Sequence, residues 1–319
     1  MLIGVMTSGG DAPGMNAAIR AVVRTGLHQG HQVLGIRRGL AGLLNDDMFS
    51  MESSSVADII YRGGTILHTG RSEEFQTPGG QRQALAIVKK NAIDGLVMIG
   101  GDGSIRACEA LRNLGVASNC IPGTIDNDIP FSDVSIGFDT AINTICDAVD
   151  KVRDTAEALE RTFIVEVMGR QSGFLALASG VAVGAESILV PEFGIDYAEV
   201  CERLHQSIVR RKRHSIIILA EGAGRADDVA AEVNRRTGYD MRVITLGHIQ
   251  RGGSPTAQDR ILASMLGHKA VDLLAAGVSG KFVGQMGGKI TVVGFEQVIS
   301  ARKTLDRDAF ELAKVLAAI

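Results

Sequence analysis

Short apolar runs alternate with amphipathic stretches along this chain. Apolar runs of about four to eight residues predict buried strands, whereas apolar positions three and four apart predict helices. The predicted strands are Leu2–Met6, Gln32–Ile36, Gly95–Ile99, Thr162–Val167, Ser187–Val190, Ser215–Ala220 and Arg242–Leu246. The predicted helices are Met15–Gln29, Gln81–Asn91, Ile105–Leu114, Thr140–Leu159, Ala198–Arg211 and Ala257–Ala275. Buried strands that alternate with helices predict an α/β chain with parallel sheets and right-handed crossovers.

The length of the chain bounds its domain organisation. With 319 residues, it suits one large or two smaller domains. No linker rich in Pro or Ser separates two halves, so we expect any second domain to be entered and left more than once. The 39 glycines against 6 prolines indicate many tight turns where the backbone comes close to a ligand.

The turns after the predicted strands combine glycines with polar residues. Such loops lie at Thr7–Asp11, Gly100–Ser104, Val167–Arg170, Glu221–Gly222 and Gly247–Pro255. In open parallel sheets, ligands bind outside the carboxyl ends of the strands. Similar loops at equivalent strand ends therefore predict a binding region.

Two of these loops contain Gly-Gly-Asp, at Gly9–Asp11 and Gly100–Asp102. Glycines let main-chain N–H groups approach phosphate oxygens, and the following helix presents the positive end of its dipole. Neither loop is a Walker A or GxGxxG motif. Two plain tight turns are the alternative. Asp102, between glycines, is a candidate Mg²⁺ ligand because this cation takes one or two carboxylates plus phosphate oxygens.

The segment Pro122–Pro130 holds two acidic residues, Asp126 and Asp128. Its prolines exclude a helix interior. In an extended loop alternate residues share a side, so the two carboxylates would point together. Like charges close together raise the pKa of one carboxyl, which favours a general base. An Asx-turn is the alternative.

Arginines lie in or beside several of these loops. Bidentate phosphate binding favours arginine, although a single arginine is more often part of a surface ion pair. The candidates are Arg71, Arg161, Arg170, Arg242 and Arg251. A basic run, Arg210–His214, follows a predicted helix, and Arg20, Arg24 and Arg153 add cations on helices elsewhere. This second group is either a solvated surface or a regulatory anion site.

Composition excludes several classes of function. The net charge of −3 does not favour nucleic acid or an acidic membrane. Aromatic residues are scarce, and no apolar run approaches the ~18 residues needed to cross a bilayer. The four cysteines form no CxxC pair, so reduced thiols in a cytosolic protein are expected. We therefore predict a cytoplasmic protein without membrane or nucleic-acid partners.

Together these loops resemble the bacterial ATP-dependent 6-phosphofructokinase family along nearly the whole chain. The matching segments are Thr7–Ala18, Arg62–Leu67, Gly95–Ser104, Pro122–Pro130, Ile136–Asp139, Val165–Gly173, Ser215–Gly222 and Leu246–Thr256. The resemblance implies two parallel-sheet, Rossmann-like three-layer domains with the active site in the cleft between them. The larger, ATP-binding domain would comprise 1–137 and about 251–300, and the smaller, sugar-binding domain about 138–250 and 301–319. It also implies a homotetramer of glycolysis.

The resemblance assigns a role to each site residue. ATP would bind along Gly10, Arg71, Ser72, Gly101, Asp102, Gly103 and Ser104, with Mg²⁺ on Asp102. Asp126 would be the base for the sugar's 1-hydroxyl, helped by Thr124, Asp128 and Arg71. Fructose 6-phosphate would contact Thr124, Asp126, Met168, Gly169, Arg170, Glu221, His248 and Arg251, with Arg161 and Arg242 supplied by a neighbouring subunit.

Small differences from relatives refine this assignment. Gly103 and Gly123 replace the Asp and Lys that are typical of pyrophosphate-dependent relatives, which favours ATP. Leu40 stands where many relatives have a Tyr near the adenine, and Ser53 replaces an effector-site Arg that some relatives have. Phe174 and the region 224–238 also depart from the family pattern. The implied effector residues, for ADP or phosphoenolpyruvate, are Arg20, Arg24, Arg153, Gly184, Glu186, Arg210, Lys212 and His214.

Two alternatives stay open. A pyrophosphate-dependent phosphofructokinase would share most of the site and differ in its phosphoryl donor. A non-catalytic sensor of nucleotide or sugar phosphate would share the fold. The joint presence of Asp102, Asp126, Arg71 and Arg170 disfavours the sensor, because a sensor needs no base.

Overall fold

A computed structural model describes residues 1–210, 212 and 214–317. Its strands are β1 Leu2–Ser8, β2 Gln32–Ile36, β3 Met48–Met51, β4 Gly95–Gly100, β5 Ser118–Pro122, β6 Thr162–Val167, β7 Ser187–Leu189, β8 Ser215–Ala220, β9 Met241–Thr245, β10 Lys281–Met286 and β11 Lys289–Gly294. Its α-helices are α1 Met15–His28, α2 Gly39–Leu44, α3 Pro78–Lys90, α4 Asp102–Asn113, α5 Phe138–Leu159, α6 Phe174–Ala182, α7 Tyr197–Val209, α8 Ala226–Thr237, α9 Ala257–Ala275, α10 Phe295–Ser300 and α11 Arg307–Ala317. Short 3₁₀ turns lie at Ser53–Val56, Glu74–Gln76 and Gly247–Arg251.

The chain divides into two compact units, neither of which is continuous in sequence. Unit 1 comprises Met1–Ile125, Ile129–Thr140 and Arg251–Lys303. Unit 2 comprises Asp126–Asp128, Ala141–Gln250 and the residues from Thr304 on. The ATP-binding and sugar-binding roles given to two domains, and their boundaries at 137 and 250, stay predictions.

Unit 1 is built on a seven-stranded sheet with the order β11-β10-β5-β4-β1-β2-β3. Its central strands are parallel, and all six residues of β4 are buried, as expected for a strand covered by helices on both faces. Helix α1 packs against α9, where a Cβ atom at Gly267 would lie only 2.9 Å from the carbonyl oxygen of Ala18. Glycine therefore allows the two helices to approach closely.

Unit 2 is built on a four-stranded parallel sheet with the order β7-β8-β6-β9. Strand β8 has the sequence Ser-Ile-Ile-Ile-Leu-Ala and is buried throughout. Its core contains Ile164, Ile217, Leu219, Val229 and Val233. Both units thus confirm the predicted α/β class.

The edges of the larger sheet differ from the prediction of wholly parallel sheets. Strand β3 pairs antiparallel with β2, and β10 forms an antiparallel hairpin with β11. The turn of this hairpin is Gly287-Gly288, with φ of 55° and 74°. A Gly-Gly turn suits the twist of a two-residue hairpin. The sequence pattern missed these edge strands. It also missed the central strand β5, whose first residues, Ser118 and Asn119, are polar.

Candidate active site

Three strand-end loops of unit 1 lie side by side because their strands are neighbours. Ser8 pairs with Gly100, and Gly100 pairs with Pro122, so β1, β4 and β5 end at the same edge of the sheet. The chain leaves β1 for β2 on one side, whereas β4 lies on the other. Such a reversal of strand order opens a crevice where ligands bind in α/β sheets.

The loops after these strands are joined by hydrogen bonds. The Ser104 hydroxyl donates to the carbonyl of Ser8 at 3.2 Å, and the N–H of Gly123 donates to the carbonyl of Gly100 at 3.0 Å. A Cβ atom at Gly100 would collide with both Ser8 and Ser104. The two predicted glycine loops are therefore packed directly on each other.

The first glycine loop also holds the segment that carries Arg71. The N–H of Gly9 donates to the carbonyl of Gly70 at 3.3 Å, and the Thr69 hydroxyl donates to the carbonyl of Gly9 at 2.9 Å. Arg71 follows with an exposed side chain, and the Ser72 hydroxyl accepts a hydrogen bond from the N–H of Phe75 at 3.2 Å. The structure thus places Arg71 next to Gly9 and Gly10.

Asp102 is the first residue of α4, so the predicted helix begins earlier than its apolar pattern indicated. Its carboxylate is half exposed and lies 2.9 Å from Nε of Arg106. Among the described residues, no group of three or more His, Cys, Asp or Glu side chains could hold a metal. The donor set at Asp102 suits Mg²⁺ bound by one carboxylate, phosphate oxygens and water.

Arg251 belongs to unit 1 and contacts the first glycine loop. Its Nη1 donates to the carbonyl of Asp11 at 3.0 Å, and a Cβ atom at Gly10 would collide with the guanidinium. The resemblance assigns Arg251 to the sugar 6-phosphate. In this structure the side chain lies on the loop assigned to ATP.

In unit 2, the ends of β6 and β8 bring Met168–Arg170 and Glu221 together. Val167 pairs with Ala220, and Oε1 of Glu221 accepts hydrogen bonds from the N–H groups of Gly169, at 3.2 Å, and Arg170, at 2.7 Å. Arg170 has a φ of 57°, a left-handed conformation that is uncommon outside glycine. Glu221 therefore holds a turn that presents the exposed Arg170 side chain.

The acidic segment Asp126–Asp128 also belongs to unit 2. The Asp126 side chain is buried, its Oδ2 lies 4.0 Å from Nε of Arg170, and its carbonyl accepts a hydrogen bond from the Ser172 hydroxyl at 3.1 Å. Asn127 has a φ of 52°. This left-handed residue interrupts the extended conformation that was expected to align the two carboxylates, so that prediction is wrong. The structure does bring Asp126 and Arg170 together.

Two supporting residues escaped the sequence analysis. Gln250 is fully buried, and its Oε1 accepts a hydrogen bond from the N–H of Met168 at 3.1 Å. Ser172 links Asp126 to the Met168–Arg170 turn, since its hydroxyl also lies 3.0 Å from the carbonyl of Gly169. No local sequence signal marks Gln250, because its partner Met168 lies 82 residues away.

Arg161 and Arg242 lie at the opposite end of the same sheet. Both approach Oδ2 of Asp240, at 3.1 Å and 3.7 Å. Arg161 precedes β6, whereas Met168 follows it, and the 6 residues of this strand span roughly 20 Å. Within one chain, therefore, the structure does not bring these arginines to the Met168–Arg170 turn.

The predicted effector residues are distributed over both units. In unit 2, Lys212 forms an ion pair with the buried Glu186, and the Arg153 guanidinium donates to the carbonyl of Val183, next to Gly184. Arg20 and Arg24 lie on α1 of unit 1, Arg210 follows the last residue of α7, and His214 precedes β8. Arg211 and Arg213 lie outside the described residues.

Glu186 is already engaged through both carboxylate oxygens. Oε1 contacts Lys212, and Oε2 accepts a hydrogen bond from the N–H of Ile216 at 2.6 Å. A cation at this carboxylate would have to compete with Lys212. The structure therefore gives less support to a Mg²⁺ ligand here than to one at the exposed Asp102.

The structure shows the surroundings of the positions where this sequence differs from the family pattern. Leu40 is buried in a hydrophobic cluster with Leu43 and Leu44. A Cβ atom at Gly103 would meet no other atom within 4 Å, whereas one at Gly123 would lie 2.9 Å from Ile99. The space beside Gly123 is filled by the core, so only Gly103 leaves room for a ligand. Phe174 begins α6, and the region 224–238 contains α8.

Comparisons with known proteins match the chain over nearly its whole length. The profile described as "Phosphofructokinase" matches residues 2–274. The chain is 53% identical over 327 residues to the ATP-dependent 6-phosphofructokinase of Halothermothrix orenii, covering 98% of both chains. It is 54% identical to the enzyme of that name from Clostridioides difficile, again over 98% of both chains. The chain belongs to the phosphofructokinase family.

Solved structures of phosphofructokinases share the fold. That of Saccharomyces cerevisiae superposes with a TM-score of 0.87 at 34% identity, covering 100% of this chain and 48% of the yeast chain. The present chain thus spans about half of the yeast one. The pyrophosphate-dependent enzyme of Marinobacter aquaeolei superposes with a TM-score of 0.86 at 21% identity, covering 98% of this chain and 91% of that one. This second likeness concerns the fold alone.

None of the described helices is long and apolar enough to span a bilayer. All four cysteines are free thiols, and Cys108 and Cys120 are buried. The Cys108 side chain and burial both raise the pKa of Cys120 well above its ordinary value. Cys120 therefore stays a protonated thiol at neutral pH.

Proposed function

We propose that this chain is an ATP-dependent 6-phosphofructokinase. It would transfer the terminal phosphoryl group of ATP to the 1-hydroxyl of fructose 6-phosphate, giving fructose 1,6-bisphosphate and ADP in glycolysis. The observation that carries the proposal is 53% identity over 98% of the chain to an enzyme of that name. The adjoining glycine loops and the buried Asp126 beside Arg170 support it independently.

The residues of unit 1 would bind the phosphoryl donor. Main-chain N–H groups at Gly10 and at Gly101–Ser104 would receive the phosphates, helped by the positive ends of α1 and α4. The exposed Arg71, Ser72 beside it, and Asp102 complete this set. Arg71 would neutralise charge on the transferring group, and Asp102 would hold Mg²⁺. When bound, Mg²⁺ would neutralise phosphate charge.

The residues of unit 2 would bind and activate the acceptor. Asp126 would take the proton of the sugar's 1-hydroxyl. The hydroxyl oxygen would then bond to the terminal phosphorus of ATP while the bond from that phosphorus to the ADP oxygen breaks. Thr124 of unit 1 and Asp128 would assist. Arg170 would stabilise the charge that develops on the phosphoryl group. Glu221, Met168, Gly169 and His248 would contact the sugar or its 6-phosphate, together with Arg251 of unit 1.

We infer that the site takes two arginines from a neighbouring subunit. Arg161 and Arg242 lie one strand length away from the Met168–Arg170 turn of their own chain. A homotetramer would let a second copy present them to the 6-phosphate. The test mixes Arg242→Ala subunits with Asp126→Asn subunits, because some hybrid sites then have both groups intact. Hybrids that form without regaining activity would show that each site belongs to one chain.

We also propose a weakened effector site for ADP or phosphoenolpyruvate. Lys212, Arg153 and Gly184 lie near Glu186 in unit 2, whereas the exposed Ser53 lacks the charge of an arginine. A charge-assisted hydrogen bond contributes about 1.5–3 kcal/mol, so Ser53→Arg should tighten effector binding ~10- to 100-fold. Titration of each effector against the half-saturating fructose 6-phosphate concentration tests this. A strong wild-type response that Ser53→Arg leaves unchanged would contradict it.

The donor is tested by steady-state assays with ATP and with pyrophosphate. Gly103 is the second residue of α4 and has open space around it, which favours the larger donor. Gly103→Asp should weaken the use of ATP by at least about tenfold, because the new side chain would overpack the space that the rest of the nucleotide needs. Gly79→Asp is the matched control, since Gly79 is the exposed second residue of α3. A wild type that prefers pyrophosphate would refute the proposal.

We place the enzyme in the cytoplasm, where glycolytic substrates and a reducing environment occur together. The four free cysteines support this location.

A further inference from the structure

Asp259 is a buried carboxylate outside the residues that the proposed reaction uses. It lies in the first turn of α9, and only 1% of it is exposed. Its Oδ1 accepts a hydrogen bond from the N–H of Gly137 at 2.9 Å. Its Oδ2 accepts bonds from the N–H of Thr140, at 2.9 Å, and from the Thr140 hydroxyl, at 2.5 Å. Burial raises the pKa of Asp259, and these bonds oppose that effect by favouring the carboxylate.

The network around Asp259 caps two helices at once. The Thr140 hydroxyl, on α5, accepts a hydrogen bond from the N–H of Thr256 at 3.0 Å. The Thr256 hydroxyl, before α9, accepts one from the N–H of Asp259 at 3.2 Å and donates to Asp139 at 2.6 Å. The first turn of each helix therefore satisfies donors of the other.

The segment that Asp259 holds also holds Thr124. The N–H of Thr124 donates to the carbonyl of Ile136 at 3.0 Å, and the Ser135 hydroxyl donates to the carbonyl of Thr124 at 2.7 Å. Gly137, the next residue, donates to Asp259. Both main-chain polar groups of Thr124 are thus bonded to Ser135 and Ile136, which directly precede the residue that donates to the buried carboxylate.

The same segment has little space in which to move. A Cβ atom at Gly137, where φ is 103°, would lie 2.7 Å from Cβ of Ala12. A Cβ atom at Gly14 would lie 2.7 Å from Cγ2 of Ile136. A shift of residues 135–137 would therefore press on the loop after β1 as well as on Thr124.

We propose that Asp259 is a positioning residue for phosphoryl transfer, because it fixes the segment Ser135–Gly137 and through it the position of Thr124. The proposal rests on the proposed function, in which Thr124 assists the transfer and lies two residues before the base Asp126. This role differs from that of an ordinary helix cap. Loss of a helix cap would lower stability without changing turnover per active site.

The test measures kcat and KM for Asp259→Asn at a temperature where the variant is fully folded. Asparagine keeps one oxygen but turns an amide NH₂ toward N–H donors, so the segment should shift. We expect kcat to fall roughly 10- to 100-fold, since small misplacements of reacting groups carry such costs. KM for each substrate should change less than about threefold, because the loss is specific to the transition state.

A pair of substitutions at Thr140 tests the same network by rescue. Thr140→Val removes the hydroxyl that joins Asp259 to Thr256 and should lower kcat in the same way. Thr140→Ser keeps the hydroxyl and should restore most of the loss. Val271→Ala, at a fully buried position of α9, is the control for reduced stability alone. It should lower the melting temperature with kcat unchanged.

The outcomes separate this proposal from the proposed function. A wild type that does not phosphorylate fructose 6-phosphate overturns the function. With an active wild type, a wild-type kcat in Asp259→Asn overturns the positioning role. If Asp259→Asn does not fold, a wild-type kcat in Thr140→Val does so instead.

Discussion

The strand-end loops of the two units are held in different ways. In unit 1, the loops after β1, β4 and β5 contact each other mostly through main-chain groups and glycines, as between Gly100 and Gly123, and one side chain, Ser104, adds a hydrogen bond. In unit 2, two side chains hold the Met168–Arg170 turn, because Glu221 and Gln250 accept its N–H groups. The first arrangement is set by the backbone, whereas the second depends on single side chains.

This difference matches the tasks proposed for the two units. Phosphates are bound by N–H groups whose positions must be fixed, and close-packed glycines provide that. A sugar phosphate requires charged and polar side chains with particular directions, which a turn held by Glu221 can present. We therefore expect ligand binding in unit 1 to be impaired by substitutions that overpack its glycines. In unit 2 it should be impaired by substitutions that remove a side-chain hydrogen bond.

The largest effect should come from Asp126→Asn in unit 2. Loss of a general base should lower turnover by roughly 10²–10⁴, while ATP binding stays near its wild-type value. Steady-state kinetics together with calorimetric titration of ATP measure both. Asp196→Asn is the control, since asparagine also caps α7. Near-normal turnover would remove Asp126 from the mechanism.

The next effect should come from Gly100→Ala in unit 1. The new methyl group would meet Ser8 and Ser104, and overpacking of this kind costs about 1–3 kcal/mol. We expect a lower melting temperature and weaker ATP binding, with binding of fructose 6-phosphate little changed. Gly79→Ala, at an exposed position of α3, provides the comparison. If sugar binding weakened as much as ATP binding, the contrast between the units would be lost.

A smaller effect should follow from Gln250→Ala in unit 2. The N–H of Met168 would lose its partner, at a cost of about 1–3 kcal/mol. KM for fructose 6-phosphate should rise ~10-fold, since 1.4 kcal/mol is one decade, and KM for ATP should not. The exposed Gln206→Ala serves as control. An unchanged KM would mean that Glu221 alone holds the turn.

The smallest effect should come from Glu232→Gln, on the surface of unit 2. Hydrogen bonds from Arg235 and then Arg236 lower the pKa of Glu232 to about 2. Because the folded state favours the carboxylate, its contribution is present above the ordinary pKa of about 4.3 and is lost as the pH falls toward 2. The melting temperature of the variant should be slightly lower than that of the wild type at pH 7, and this difference should disappear as the pH falls toward 2. If the difference in melting temperature grew as the pH fell, the predicted direction of the pH dependence would be wrong.

The sequence predicted seven strands because each is a compact apolar run, but it missed the central strand β5, which begins with the polar Ser118 and Asn119. Leu2–Met6 and Ser215–Ala220 were found almost to the residue. The edge strand Met48–Met51 was missed because it has 4 residues and is only partly buried. The hairpin of β10 and β11 was missed although its Gly-Gly turn was visible, since its residues are half exposed.

The candidate site was predictable where its chemistry is local in sequence. The Gly-Gly-Asp loops and Asp126 stand out because their neighbours along the chain carry the signal. Gln250 and Asp259 do not, because their partners lie 82 and at least 119 residues away. Such contacts exist only once the strands have been placed, so sequence patterns cannot identify them.

Because unit 1 is discontinuous in sequence, it cannot fold completely until late in synthesis. The sheet begins at Leu2, but α9, which packs against α1, is synthesised only after Gln250. At 5–20 residues per second, α1 would wait roughly 10 to 50 s for its partner. Through that interval the apolar face of a nascent α1 needs another cover, either within the growing chain or from a chaperone. Translation speed across residues 141–250 should therefore influence the yield of folded protein.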